Sequence, residues 1–196
     1  MKIQYLKYPF YHTILYDFFT QEEIKGINEE RLLLQKDNTI TQPIEQDNHH
    51  KILRETFNTN TIFLDQVYQE DRSKSFILNK VHKIYQINFD YESNPFLKYL
   101  KISNKDLSTL QLYKNTSKYF EHIDRSLLTC LFVFYDVPKK FEGGDFVFSQ
   151  YNYVPYLTNN SCIIFPGFEA HHVNELVSGS EDIVRFSINY RIYLRG

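Results

Sequence analysis

The chain has 196 residues, of which 42% are hydrophobic and 23% are charged, and its aromatic content of 17% comes from tyrosine and phenylalanine alone. This length fits one folded domain, and the composition is typical of a globular protein with a sizeable core. The formal net charge of −2 argues against a global attraction to phosphate backbones or anionic membranes.

Targeting, membrane and disulfide signals are weak throughout the sequence. No segment approaches the roughly 18 consecutive apolar residues of a membrane span, and the N-terminal residues lack an apolar stretch of signal-peptide length. Cys130 and Cys162 each lie inside an apolar run, which predicts buried, reduced thiols. We therefore expect a cytoplasmic protein without a membrane partner.

The N-terminal segment predicts a strand followed by a helix. Residues 8–19 begin as a β-like run, and Thr20 then precedes Glu22 and Glu23. A capping residue followed by acidic residues in the first turn is typical of a helix start, and the amphipathic pattern predicts that the helix continues to about Leu34.

A polar segment and a second helical pattern follow. Residues from 35 to about 60 are mostly polar, which predicts a loop or a lid over a site. Apolar residues then recur at helical spacing at Ile77, Val81 and Ile84, and this pattern predicts a second helix between residues 63 and 87.

The sequence becomes strand-rich after about Leu107. Short β-rich runs separated by turn residues cover 109–113, 119–124, 127–135, 145–148, 161–165 and 185–193. This pattern predicts an α+β, mainly β fold, in which helices cover one face of a sandwich or jelly roll. We expect one domain over residues 1–196, with 1–106 as strand and helix support and lid, and 107–196 as the core that carries the site.

His122 and Asp124 are the first candidate functional residues. They are separated by one residue in a β-like run, so both side chains point to one face while Ile123 points to the other. An imidazole and a carboxylate, joined by a second imidazole, form the facial triad that binds non-haem Fe(II). Alone, the pair is weak evidence, because a surface histidine near an acid is common.

The second imidazole is expected from a later strand, where His171 and His172 are neighbours. Adjacent strand residues face opposite ways, so only one of them can join the same site. The chemistry of the two residues does not decide between them.

The last predicted strand alternates polar and apolar residues without a break. Its polar face carries Arg185, Ser187, Asn189 and Arg191, and its apolar face carries Phe186, Ile188 and Tyr190. On an ordinary half-exposed strand the polar face meets water. In a small barrel it can instead line the pocket, where a guanidinium can bind a carboxylate in bidentate fashion. The apolar face would then pack on the helices.

Residues from about 110 to 194 resemble the prolyl-4-hydroxylase-like branch of the 2-oxoglutarate/Fe(II)-dependent dioxygenases, whose fold is a double-stranded β-helix. The matching features are Tyr113, the pair His122 and Asp124, a strand over residues 128–134, the turn Glu142-Gly143-Gly144-Asp145-Phe146, His171 followed by Val173, and Arg185 followed by Ser187.

The resemblance implies a role for each matched residue. His122, Asp124 and His171 would bind iron, with His171 favoured over His172 by the family's register. Arg185 would hold the far carboxylate of 2-oxoglutarate, with a hydrogen bond added by Ser187. Tyr113 would face the cosubstrate near its metal-binding end.

The implied cofactors are Fe(II) and 2-oxoglutarate, with ascorbate as an optional reductant and dioxygen as the oxidant. The implied reaction hydroxylates an unactivated C–H bond of a prolyl or amino-acid-type substrate, peptidyl or free, and releases succinate and CO2. The fourteen-residue gap between His171 and Arg185 implies an enlarged loop over residues 174–182.

Two other functions remain open at this point. AlkB-like nucleic-acid demethylases share the metal triad and carry two arginines on the last strand, which Arg185 and Arg191 match in spacing. The Gly143-Gly144 turn and the lack of a basic charge balance argue against a nucleic-acid partner. A noncatalytic, cupin-like metal-binding module is the other alternative, although such a module needs no carboxylate-binding arginine.

Overall fold

The structure is a computed structural model that describes residues 1–36 and 59–194. Nearly all of the predicted loop or lid over residues 35–60 lies outside the described residues. The strands are β1 (Lys2–Leu6), β2 (His12–Tyr16), β3 (Thr59–Phe63), β4 (Lys105–Tyr113), β5 (Tyr119–His122), β6 (Leu128–Tyr135), β7 (Glu142–Gly143), β8 (Phe146–Phe148), β9 (Ser161–Pro166), β10 (His171–Val173), β11 (Leu176–Val177) and β12 (Arg185–Tyr193).

These strands form one large sheet and two small ones. The large sheet has the order β1-β2-β9-β6-β12-β4-β3, and its pairs are antiparallel. The small sheets are β5-β10-β8 and β11-β7. Strands β1, β2 and β3 come from the first 63 residues, so the N-terminal segment extends the large sheet as well as supporting it.

The first helix, α1 (Gln21–Lys36), begins where the sequence predicts. The backbone N–H of Glu23 donates to Thr20 Oγ1 at 3.2 Å, and the backbone N–H of Thr20 donates to Glu23 Oε2 at 3.0 Å. This reciprocal pair is a capping box, which satisfies two N–H groups that the helix leaves free. The predicted helix is therefore confirmed.

The predicted second helix between residues 63 and 87 is wrong as a single element. The chain instead forms α2 (Leu64–Val67), α3 (Phe76–Val81) and two short 3-10 segments. The side chains of Asp71 and Ser75 accept hydrogen bonds from backbone N–H groups two and three residues later, and these caps start new turns. A further short helix is α4 (Tyr99–Ile102).

The large sheet has one face toward the helices and one toward the small sheets. Phe186, Ile188 and Tyr190 of β12 pack in the hydrophobic cluster on the helix side, as predicted. A second cluster fills the space between the sheets and includes Tyr113, Val133 and other buried residues. The barrel interior between the sheets therefore receives the opposite face of β12.

Two remaining expectations concern the cysteines and the membrane. Cys130 and Cys162 are buried and free, as predicted. None of the helices in residues 1–36 and 59–194 has the length and apolarity needed to span a bilayer.

Candidate metal centre and cosubstrate pocket

The side chains of His122, Asp124 and His171 meet at one end of the barrel. His122 is the last residue of β5, and His171, the first residue of β10, is its partner in the antiparallel register. The potential ligand atoms of the three residues all lie within 4.8 Å of one another. Two nitrogens and one oxygen at this spacing are a donor set that suits a non-haem iron ion.

Backbone hydrogen bonds orient both imidazoles. His122 Nδ1 lies 2.9 Å from the carbonyl oxygen of Phe120, and His171 Nδ1 lies 2.8 Å from that of Glu169. A carbonyl oxygen can only accept, so each Nδ1 carries a proton, and in the neutral ring Nε2 keeps its lone pair. The Nε2 atoms lie 3.5 Å and 3.7 Å from the two carboxylate oxygens of Asp124. Both rings thus present a ligand atom to the same point.

Burial keeps His171 neutral. The residue is 3% exposed. Burial lowers the pKa of its imidazole to about 4, against the attraction of the Asp124 carboxylate, which raises it. At neutral pH, Nε2 is therefore available as a ligand.

Asp124 is a buried carboxylate with one oxygen left unpaired. Thr129 Oγ1 donates to its Oδ2 at 2.6 Å, whereas Oδ1 has no hydrogen-bond partner. Burial raises the pKa of the Asp124 carboxyl, but the neighbouring His122, His171 and Arg191 outweigh burial and hold the pKa well below its usual range. An ionised carboxylate with a bare oxygen is the kind of group that a cation would satisfy.

A close backbone approach positions Asp124 beyond the end of β5. Its N–H donates to the carbonyl oxygen of Gly167 at 2.8 Å. A Cβ atom at Gly167 would lie 2.1 Å from Ser126 Oγ and 2.5 Å from the Ser126 carbonyl oxygen. Only glycine therefore fits in the turn between β9 and β10 where it meets the Asp124 segment.

His172 points away from the centre. Its Nδ1 lies 2.7 Å from Ser149 Oγ, and its Nε2 lies 3.1 Å from Asn174 Oδ1. Both ring nitrogens thus have partners other than Asp124. Of the two neighbouring histidines, the structure brings only His171 to the cluster.

Arg185 lies in the barrel at the opposite end of β12 from Arg191. It is 3% exposed, and its Nη1 is buried without a hydrogen-bond partner. Its guanidinium carbon lies 4.4 Å from the centre of the Tyr113 ring. No carboxylate among the described residues forms an ion pair with Arg185, so an anion from outside can bind it.

Two hydrogen bonds connect Tyr113 and Ser187 through Gln111. The Tyr113 hydroxyl and Ser187 Oγ donate to Gln111 Oε1 at 3.1 Å and 3.2 Å. Tyr113 is paired with Arg185 in the sheet register. Its ring therefore lies beside the Arg185 guanidinium, and its hydroxyl reaches toward Gln111, two residues away on β4. The contact of Tyr113 with the metal-binding end of the cosubstrate stays a prediction.

A cavity of about 400 Å³ opens beside Arg185. Its walls include Tyr135, Phe146, Tyr156 and Lys139. Apolar and aromatic walls with one buried cation are typical of a site for a small organic anion.

The contacts of Thr129 with Asp124 and of Gln111 with Tyr113 were not predicted from the sequence. Thr129 and Gln111 are polar residues between apolar neighbours on buried strands, and both are at least 96% buried. A polar side chain at such a position needs a partner inside the protein, which was a usable signal.

No protein-family profile matches the sequence, and no curated protein is similar to it in sequence. Solved structures are similar in fold. A prolyl-4-hydroxylase from Pseudomonas putida matches with a TM-score of 0.62 and 12% identity, over 94% of this chain and 93% of that one. A viral collagen prolyl hydroxylase from Paramecium bursaria Chlorella virus-1, in complex with 2OG, matches with a TM-score of 0.57 and 12% identity, over 93% and 96%.

An oxidoreductase of the 2OG-Fe(II) oxygenase family from Burkholderia pseudomallei matches with a TM-score of 0.53 and 12% identity, over 93% of this chain and 84% of that one. At such low identities the similarity establishes the fold only. The predicted fold class is confirmed: the chain is mainly β and has the double-stranded β-helix fold of these structures, with helices on the outer face of the large sheet.

Proposed function

We propose that the protein is an Fe(II)- and 2-oxoglutarate-dependent dioxygenase that hydroxylates an unactivated C–H bond of a prolyl or amino-acid-type substrate. The observation that carries the proposal is that one barrel holds both the His122, Asp124 and His171 cluster and the buried, unpaired guanidinium of Arg185. The fold similarity to prolyl hydroxylases supports it.

The residues present fit a ferrous ion. Two imidazoles whose Nδ1 atoms are held by carbonyl oxygens and whose Nε2 atoms face the cluster, together with an ionised carboxylate with a bare oxygen, match the facial triad. When bound, iron would supply the chemistry that couples dioxygen reduction and 2-oxoglutarate decarboxylation to oxidation of the substrate. His122, Asp124 and His171 would hold that ion.

The other protein groups bind and orient the cosubstrate. Arg185 would pair with the distal carboxylate of 2-oxoglutarate, and the Tyr113 ring holds the guanidinium in place from one side. Ser187 lies two residues further along the same face and can donate to that carboxylate in place of Gln111. The apolar walls of the barrel exclude water from the reacting centre.

We also propose that residues 1–196 act as one domain. Strands from both halves of the chain pair side by side in the large sheet, with β3 against β4 and β2 against β9. The sheet that carries Arg185 therefore depends on both halves.

Anaerobic addition of Fe(II) and 2-oxoglutarate tests the function. We expect a visible charge-transfer band from the chelate, followed by succinate release when air is admitted. Asp124→Ala should abolish both signals. Glu121→Ala is a matched control, because this exposed carboxylate precedes His122 and points away from the cluster.

The outcomes separate the alternatives. A noncatalytic metal-binding module would bind Fe(II) but develop no band on addition of 2-oxoglutarate. A nucleic-acid demethylase would release succinate faster with methylated oligonucleotides than with amino acids or prolyl peptides. Retained turnover in Asp124→Ala would reject the metal assignment.

A further inference from the structure

Unpaired polar atoms concentrate in the barrel. Among the described residues, five buried side-chain nitrogen or oxygen atoms lack a hydrogen-bond partner, and four of them belong to Asp124, Arg185, Asn189 and Arg191. Buried polar groups are normally paired, so unpaired ones that cluster inside the barrel indicate a missing ligand. The proposed iron and 2-oxoglutarate account for Asp124 and Arg185. Asn189 Oδ1 and Arg191 Nε remain.

Asn189 and Arg191 lie on the barrel face of β12. They are two residues apart, so their Cα atoms are about 6.6 Å apart and both side chains point inward. Asn189 is 5% exposed, and the Arg191 side chain is 21% exposed. One member of the pair is thus buried, and the other can be reached from solvent.

Arg191 lies beside the metal centre. Its Nη1 is 3.9 Å from Asp124 Oδ1, which is longer than a hydrogen bond, and its backbone pairs with Thr129. Arg185 is six residues away on the same face, about 20 Å along the strand. A ligand held by Arg191 would therefore lie close to the iron and away from the distal carboxylate of 2-oxoglutarate.

The charge balance at the metal end favours an anion. A ferrous ion and the Arg191 guanidinium together outweigh the Asp124 carboxylate, and the iron-binding carboxylate of 2-oxoglutarate neutralises only part of the difference. One positive charge is left over, because Arg185 already pairs with the other carboxylate. A buried charge needs a partner, and a substrate carboxylate would provide it.

We propose that Arg191 and Asn189 bind the primary substrate, and that this substrate is a small free amino acid. Its carboxylate pairs with the Arg191 guanidinium, and its ammonium group donates to Asn189 Oδ1. This inference rests on the proposed dioxygenase function and selects within it. An internal residue of a peptide carries neither charge on its backbone and would leave Asn189 Oδ1 and Arg191 Nε without a hydrogen-bond partner.

The size of the expected discrimination follows from those unpaired groups. A site built to hydrogen-bond a substrate group rejects the analogue that lacks it by as much as about 10⁴-fold, because the protein atoms stay buried and unsatisfied. Arg191 is partly exposed, so water compensates some of this loss. We expect at least a tenfold preference for an amino acid over its carboxamide.

The test measures succinate release with the proteinogenic L-amino acids, each compared with its carboxamide and its N-acetyl derivative. We expect at least one free amino acid to accelerate release and both derivatives to do so at least tenfold less well. Calorimetric titration of that amino acid into protein loaded with Mn(II) and 2-oxoglutarate measures binding without turnover.

Single-residue variants test which protein group binds the carboxylate and which binds the ammonium group of the amino acid. Arg191→Gln should raise the KM for the amino acid at least tenfold, and Arg191→Lys should restore part of the loss because it keeps the charge. Asn189→Leu should reduce the discrimination against the N-acetyl derivative. Arg185→Gln should instead raise mainly the KM for 2-oxoglutarate. Lys98→Gln, at an exposed side chain outside the barrel, is the control and should change neither KM.

Three results of the kinetic assays would overturn the inference. The first is acceleration by poly-L-proline but by no free amino acid. The second is an equal or better response to the carboxamide. The third is an Arg191→Gln variant whose KM rises as much for 2-oxoglutarate as for the amino acid. A chelate band without any amino acid binding rejects this inference alone, whereas absence of the band rejects the dioxygenase function as well.

Discussion

Replacement of Arg185 by methionine should change the stability of the ligand-free protein only modestly and weaken cosubstrate binding strongly. Arg185 is buried, its Nη1 has no partner, and no carboxylate among the described residues pairs with it. The residue therefore costs folding free energy in the absence of a ligand and becomes useful only when an anion binds. Methionine has a similar length and no charge.

The magnitudes follow from these contacts. Replacing buried ionic groups by apolar groups of similar volume ranges from neutral to stabilising by about 4 kcal/mol. The contact between the Arg185 guanidinium and the Tyr113 ring, at 4.4 Å, is lost. Such a contact contributes about 1–2 kcal/mol. We expect the free energy of unfolding of the ligand-free protein to change by between about −2 and +3 kcal/mol.

Cosubstrate binding should weaken by far more. Removing one partner of a buried, hydrogen-bonded charge pair costs about 2–5 kcal/mol, which raises the Kd for 2-oxoglutarate by about 30-fold to several thousand-fold. Denaturant unfolding gives the first quantity, and calorimetric titration of 2-oxoglutarate with Mn(II) present gives the second.

A matched control is Arg72→Met. Arg72 pairs with the carboxylates of Asp65 and Asp106 outside the barrel, so its loss should destabilise the fold and leave the Kd for 2-oxoglutarate unchanged. A change below about threefold in that Kd for Arg185→Met would refute the assignment. So would a loss of stability well beyond that of Arg72→Met, since it would show that Arg185 has a structural partner.

Three further predictions concern the metal centre. When the free metal concentration is about 100 times the Kd, metal binding should stabilise the protein by about 2.7 kcal/mol and raise Tm by about 5–11 °C. His171→Ala should abolish this shift in Tm, and His172→Ala should keep it. The reverse result would reject His171 as the ligand. Thr129→Val removes the hydroxyl that donates to Asp124 Oδ2, so equilibrium titration should show metal binding about 10–100-fold weaker, and unchanged affinity would exclude a role for this contact. The pKa of His171 falls from 6.5 to about 4 on folding, so the unfolded chain binds more protons than the folded protein between pH 6.5 and pH 4. The metal-free protein should therefore lose about 2 kcal/mol of stability when the pH is lowered from 7 to 5. His171→Gln should lack that part of the loss in denaturant titrations, and an equal loss in this variant would contradict the assignment.

The last strand shows what the sequence can predict. Its alternation places Phe186, Ile188 and Tyr190 against the helices, and the structure has this arrangement. Because side chains alternate with a period of two, identifying the face that is buried in the apolar core fixes the orientation of every side chain in the strand. Both faces of β12 are covered, so its polar face lies inside the barrel. Only the chemistry of Arg185 indicated that a ligand binds at that face.

The helical region shows what the pattern does not contain. Ile77, Val81 and Ile84 are all buried, as the spacing required, yet the chain between residues 63 and 87 is broken into short turns. The interruptions come from side chains such as Asp71 and Ser75 that bond to backbone N–H groups. Periodicity reports which residues face the core, whereas caps decide where a helix ends.

Tyr113 illustrates a third limit. The sequence contains the residue but not the register of its strand, and only the structure shows that Tyr113 pairs with Arg185. A shift of two residues along β4 would move the ring by about 7 Å toward the metal. Contacts between strands that are distant in sequence fix that register. A family motif therefore identifies a functional residue more reliably than it identifies the residues that this side chain contacts.

Asn189 and Arg191 are the residues that best indicate the substrate. In the proposed function, iron and 2-oxoglutarate require His122, Asp124, His171 and Arg185 whatever the substrate is. Residues that line the same barrel without serving iron or 2-oxoglutarate are free to differ between substrates. An asparagine and an arginine at such positions, each with a buried unpaired atom, are costly unless a charged partner arrives. The substrate is therefore more directly indicated by what the barrel leaves unpaired than by the residues that match other oxygenases.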